Sequence, residues 1–287
     1  MGSTQRPRTG SSGLPPGVEA AWGLRERPGK GPARGVDLPR VVHAAVEIAA
    51  EEGLSAVSMS RVASEVGVST MALYRYVSGK DELLILMEDA AFDASPPGPP
   101  PGEGWREGLS QWARAYRKVL WRHKWIMRIP VSTPPVSPTG VAWMEHGLRY
   151  LRRTGLGGEE QLATLMLLSG FVRSHVSLAA DMEAATGGGR ERQEQAEAHY
   201  WELLARLTRG GHYPAITALL ESGLAVRPTP DGEAAAPTET DRAAGDAGVE
   251  EEFDPSFDFG LAIILDGIEA REARAATRSA PDGADGR

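Results

Sequence analysis

From Asp37 onward, apolar residues recur three and four positions apart. Val41, Val42, Ala45, Ile48 and Ala49 keep that spacing, with Asp37 placed as an N-cap, Pro39 in the first turn and Gly53 as the stop. A short helix is expected over Met59–Val66, capped by Ser58 and ended by Gly67, and another over Thr70–Val77, capped by Ser69. A fourth is expected to begin at Ser78, where Ser78 and Asp81 have capping-box spacing. Leu83, Leu84, Leu86 and Met87 carry it on until 95-SPPGPPPGEG-104 breaks the pattern.

Beyond the break the period is helical again. Trp105, Leu109, Trp112, Tyr116, Val119, Leu120 and His123 make one stripe, and 130-PVSTPPVSP-138 reads as a loop. Further helices are expected over 139–154, 159 to about 184, 190–209 and 214–222, and from Asp254 to about Ala276. No run alternates long enough to make a strand, and no segment repeats. The predicted class is all-α, an N-terminal three-helix head with a helix-turn-helix followed by a helical C-terminal domain. Its predicted divisions are an aperiodic basic arm over 1–36, a head over 37–94, a helical domain over 95–277 with a mobile loop at 225–252, and a tail over 278–287.

Composition sharpens this by exclusion. With 41% apolar residues in 287, the chain can bury a core, and with no cysteine it can build no disulfide framework, thiolate metal site or cysteine nucleophile. The basic start carries no apolar run of the signal-peptide kind, and 162-LATLMLLSGFV-172 is too short to span a bilayer. A soluble cytoplasmic protein, no membrane partner and no cofactor are the expectations. No G-x-S-x-G, phosphate loop or His-Glu-x-x-His constellation is present, so no enzyme is expected.

Charge is unevenly placed. The net charge is −8, yet residues 1–40 hold seven basic groups against three acids, a stretch that reads either as a phosphate-binding arm or as a solubilising leader. Residues 37–94 hold four basic residues against ten acids. A head with that balance must focus any attraction for DNA on a small face.

Two short helices joined by a Gly-containing turn have helix-turn-helix geometry, whose second helix enters a DNA groove. Ala63 allows a close crossing, Gly67 allows positive φ, and Val62, Val66, Val68 and Leu73 supply the core between them. On a helical period Leu73 and Val77 point inward, while Thr70, Met71, Tyr74 and Arg75 point out toward bases and phosphates. Ser69 sits where free backbone N–H groups can hold a phosphate, and Lys80 can pin the next one.

The stretch 47-EIAAEEGLSAVSMSRVASEVGVSTMALYRYVSGKDELL-84 resembles the DNA-binding head of the tetracycline-repressor (TetR) family of transcription regulators. The resemblance implies that Tyr74, Tyr76 and Lys80 contact operator phosphates. It implies too that Ser58 and Ser60 touch DNA from the first helix of the motif, and that Thr70, Met71 and Ala72 face bases. A second stretch, 257-FDFGLAIILDGIEA-270, looks like the last helix of the subgroup sharing the tetracycline repressor's C-terminal domain. That likeness implies a ligand-binding and dimerisation domain whose last helix and long helix pair with their copies in a homodimer. Gly170, Ser174, Ser177, Gly260, Ile264 and Gly267 are the candidate interface residues, with the glycines allowing close approach or merely tolerated.

Ligand-lining candidates are Trp112, Tyr116, His123, Trp125, Met127, Trp143, Met144, Met166, Phe171 and His175, although such residues at helical spacing are more often core than pocket. Without Cys or paired-His spacing, His123, His146 and His175 are not expected to bind metal. Arg173 lies in the apolar long helix and is expected to pair with an acid such as Glu145 rather than with an acidic ligand. The functional expectation is a ligand-responsive regulator, a homodimeric repressor binding double-stranded, near-palindromic operator DNA and released by a small-molecule effector. The alternative is a helical ligand-binding or protein-interaction module whose head does not bind DNA.

Overall fold

The computed structural model describes residues 13–24, 36–92, 104–130, 135–187, 190–210, 212–223 and 254–279. The expected loop at 225–252, nearly all of the expected tail and most of the expected arm lie outside the described residues. Helices run in the order α1 Pro16–Ala21, α2 Leu38–Glu52, α3 Met59–Val66, α4 Thr70–Leu73, α5 Lys80–Ala91, α6 Trp105–Arg122 and α7 Pro138–Leu151. They continue with α8 Gly158–Thr186, α9 Arg190–Leu207, α10 Pro214–Glu221 and α11 Pro255–Ser279, and 3-10 turns occupy Leu54–Ala56 and Lys124–Arg128. No strand occurs among the described residues, as the periodicity predicts.

The head forms where its caps and apolar stripe say it should. Asp37 accepts the Arg40 N–H at 3.0 Å, and α2 buries Val41, Val42, Ala44, Ala45, Ile48 and Ala49. Ser58 accepts the Arg61 N–H at 3.1 Å to open α3. Gly67 closes α3 at φ 76°, its N–H and that of Val68 reaching back to Ser64 O and Ala63 O. This left-handed closure satisfies two end carbonyls and turns the chain into the next helix.

Three expectations need correction. The recognition helix is regular only over Thr70–Leu73, after which Arg75 N–H and Tyr76 N–H bond three residues back, to Ala72 O and Leu73 O. Val77 N–H still reaches Leu73 O, four residues back, so the chain arrives at Val77 through a mixed turn rather than a continued regular helix. Ser78 does not cap the next helix either: α5 starts at Lys80 behind Gly79, and Ser78 N–H and Oγ both donate to Glu82. The carboxylate four residues on outcompetes Asp81 because it is buried and collects a third donor, Gly17 N–H.

That third donor comes from α1, which lies inside the segment expected to be aperiodic. Val18 is fully buried, and Gly17 sits so close to α5 that an added Cβ would fall 2.8 Å from Glu82 Oε1. The Trp22 indole N–H donates to Val136 O at 2.7 Å, just ahead of α7. Short length and Pro-Pro-Gly composition hide such a helix from periodicity, since tertiary docking supplies its stability.

Residues through Ser177 and those from Ser256 onward form one compact unit, and Leu178–Pro255 a second. In the first, α8 and α11 pack through a Phe171–Phe257 stack at 5.4 Å and an Arg271–Glu160 ion pair at 2.8 Å. In the second, α10 buries none of its residues. At 29 residues α8 is long and apolar enough to cross a bilayer by length and composition, which corrects the shorter apolar run read from the sequence. Leu165, Leu168, Val172 and Val176 form one stripe that it buries inside the protein.

Candidate nucleic-acid interface and aromatic cluster

Leu73 and Val77 are buried and anchor the recognition element, while its other side faces solvent. Met71 is 77% exposed and Tyr74 48%, high values for large apolar side chains. Arg75 and Lys80 are exposed beside them, with Thr70, Ala72 and Tyr76 half-buried at the edge. Ser69 Oγ accepts the Ala72 N–H at 3.2 Å, so this hydroxyl acts as a cap. Ser58 and Ser60 hydroxyls lie 3.2 Å apart at the start of α3. The structure thus gathers the predicted residues around one helix-turn-helix unit.

Acids compete for the head's positive charge. Arg61 is held by Glu52 at 2.8 Å and by Glu65, and those hydrogen bonds push its guanidinium further into the charged form. Among the described residues neither Arg75 nor Lys80 makes an ion pair. Unpaired cations on an exposed face cost nothing to redirect toward phosphate, whereas Arg61 must first give up two carboxylates.

The core gathers four aromatic rings. Trp112 and Tyr116 of α6 stack at 5.1 Å, Trp143 of α7 meets Trp112 edge-on at 6.0 Å, and Phe92 meets Tyr116 at 5.5 Å and Trp143 at 5.3 Å. The Trp112 indole N–H donates to Trp143 O at 3.0 Å. Phe92 is the residue sequence reading missed. It caps α5, and the signal was there: an aromatic ring continuing the Leu84, Met87, Ala91 stripe to the edge of the Pro-rich break.

Around this cluster lie two polar contacts from α5. Asp89 accepts the Thr139 N–H at 2.8 Å, and Glu88 sits 3.9 Å from Arg173 of α8. Arg173 therefore pairs with Glu88, not with the exposed Glu145, because α8 presents it to the end of α5. The positive charge of Arg173 also acts on the Tyr116 hydroxyl. Burial raises the Tyr116 and Glu88 pKa values, and Arg173 only partly offsets this at each.

A second cluster forms where α8 meets α11. Phe171 and His175 pack on Phe257, Arg117 lies over the Phe257 ring at 4.8 Å, and His175 Nε2 is 3.3 Å from Ser256 Oγ. His123 and Trp125 meet edge-on at 6.0 Å at the end of α6, where His123 Nδ1 and Trp125 Nε1 are buried without a hydrogen-bond partner among the described residues. Burial lowers the His123 and His146 pKa values. Met127 and Met144 pack against the core.

The ligand-lining candidates are therefore divided among three places. Met166 is in none of them: it is 67% exposed on the outer side of α8, because Leu165 and Leu168 occupy the buried stripe. Gly260 has a close neighbour in its own chain. A Cβ there would lie 2.6 Å from the Phe171 ring, so its missing side chain serves packing within the chain. Gly170 and Gly267 face open space, Ser174 is exposed, and Ser177 and Ile264 are half-buried. No group of three or more His, Cys, Asp or Glu suited to a metal occurs among the described residues.

A helix-turn-helix head joined to a helical core is the architecture of a DNA-binding regulator. Comparison with known proteins gives the family. Residues 41–87 match the model "Bacterial regulatory proteins, tetR family", and residues 98–231 match "Tetracyclin repressor-like, C-terminal domain". The chain is 33% identical over 288 residues to the HTH-type transcriptional repressor DrrR1 of Streptomyces coeruleorubidus, covering 98% of this chain and 94% of that one. Apo ActR from Streptomyces coelicolor superposes with a TM-score of 0.60 at 25% identity, over 86% of this chain and all (100%) of ActR. ActR in complex with actinorhodin gives 0.58 at 28% identity, over 83% and 97%. The chain belongs to the TetR family and is a transcriptional regulator, as the motifs implied.

Proposed function

We propose that the protein is a cytoplasmic homodimeric repressor. It binds a near-palindromic operator through Thr70, Met71, Ala72, Tyr74, Arg75, Tyr76 and Lys80, with Ser58, Ser60 and Ser69 at the backbone. It lets go when a small planar aromatic molecule parts the rings around Trp112. One observation carries this reading: α5 begins on the DNA-facing side at Lys80 and ends among the core rings at Phe92. A change in how the rings stack is thus a change in where α5 points. Electrostatic focus onto Arg75 and Lys80 reconciles DNA binding with an acidic head.

The dimer is inferred from surface chemistry. Leu162, Met166 and Leu167 on α8 and Phe259 and Ile263 on α11 are 45–70% exposed, with Gly170 and Gly267 open beside them. An apolar face of this kind on two adjacent helices suits a second copy of the chain. ActR, whose structure includes actinorhodin, supports a small-molecule effector here. The full-length protein should retard duplex DNA from its own upstream region at moderate salt, and Tyr74→Ala should abolish that shift. A wild-type protein that dimerises yet binds no upstream DNA would leave the ligand-binding module as the correct reading.

A further inference from the structure

Arg173 holds an unusual place in the molecule. It projects from α8 to the Glu88 carboxylate at the end of α5, and its charge acts on the Tyr116 hydroxyl in the ring cluster. Glu88 does not hold it firmly. The Glu88 contact is 3.9 Å, beyond the 2.7–2.9 Å of a tight guanidinium–carboxylate hydrogen bond, and the Arg173 side chain keeps 22% of its surface exposed. The two residues before it in the chain are apolar: Phe171 packs on Phe257, and Val172 is fully buried.

We propose that Arg173 is the anion-reading residue of the ring cluster, so that the effector is an acidic planar aromatic whose carboxylate or ionised phenol replaces Glu88 on the guanidinium. The inference rests on the ring cluster being the effector site. Glu88 remains under-compensated while it is paired with Arg173, because burial raises its pKa more than the arginine lowers it. A ligand anion that reaches the guanidinium bidentately outcompetes such a partner. The exchange frees the end of α5 from α8 and leaves it held by Asp89 and Phe92, and the Phe92 contact is itself to rings the ligand parts. One substitution of partners thus couples effector chemistry to the helix that starts at Lys80.

The test uses two probes that differ only in charge, a dihydroxyanthraquinone and its carboxylic-acid derivative, titrated into full-length protein by tryptophan quenching. Wild type should prefer the acid. Arg173→Gln should lose about tenfold or more in affinity for the acid, with the neutral probe nearly unchanged. Glu88→Gln, which removes the competing charge with little change in shape, should tighten the acid and leave the neutral probe alone. Equal losses for both probes in Arg173→Gln, or an unchanged acid affinity in Glu88→Gln, overturn the assignment. Failure of wild type to bind either probe overturns it together with the ring-cluster site. Operator affinity of the free protein, measured alongside, reports on the repressor reading independently.

Discussion

The recognition face and the ring cluster are built in opposite ways. Most of the devices that shape the face lie within Ser58–Lys80 and are local: two serine caps, a left-handed glycine and two buried anchors. The ring cluster joins Phe92 to Trp143 across three helices, and its side chains are held by each other. A locally specified surface can lose a side chain without losing its shape, whereas a mutually specified core cannot.

That contrast is most open to attack in the core. Trp112→Ala removes a 4% exposed ring that touches both Tyr116 and Trp143 and should cost about 3–5 kcal/mol in stability, read from denaturant midpoints. A cost near that of a surface change would mean the rings do not support one another. On the face, Arg75→Ala and Lys80→Ala should leave stability within about 0.5 kcal/mol and each reduce the salt slope of operator binding by about 1. Arg61→Ala should alter that slope less, since Glu52 and Glu65 already hold its charge. Ser69→Ala should cost about 1 kcal/mol through its lost cap and weaken operator binding through fraying of α4 together with its lost backbone contact.

Smallest is a pH effect confined to the core. His123 and His146 have folded-state pKa values below their ordinary value, so the unfolded chain binds more protons in the window between the two. Their contribution is complete above about pH 6.5 and is lost as pH falls through that window. Glu88 runs the other way, its raised pKa favouring the folded state at low pH and that contribution fading as pH rises through it. Thermal midpoints of His146→Gln should therefore decline less than wild type between neutral and mildly acid pH, and an equal decline would remove His146 from the account.

The same contrast explains what the sequence could show. Caps, turn glycine and helical period are short-range, and from them the all-α class and the inward Leu73 and Val77 with outward Met71, Tyr74 and Arg75 are legible. The helix at Pro16–Ala21 escaped because its stability comes from Glu82 and Leu86, more than sixty residues away. Met166 was misplaced since an apolar long helix shows several stripes and only packing selects one. Gly260 lies against Phe171 of the same chain, and Arg173 meets Glu88 of α5 rather than Glu145 of α7. Pairings of this kind depend on which helices meet, which spacing along the chain does not encode.

Hydrogen exchange of the full-length protein, with and without duplex DNA from its own upstream region, tests the central claim most directly. Added duplex should slow exchange at the backbone amides of Ser58–Ser60 and Thr70–Lys80 and leave the buried side of α2 unchanged. Protection spread evenly over the protein, or absent from Thr70–Lys80, would contradict the claim that this face reads DNA.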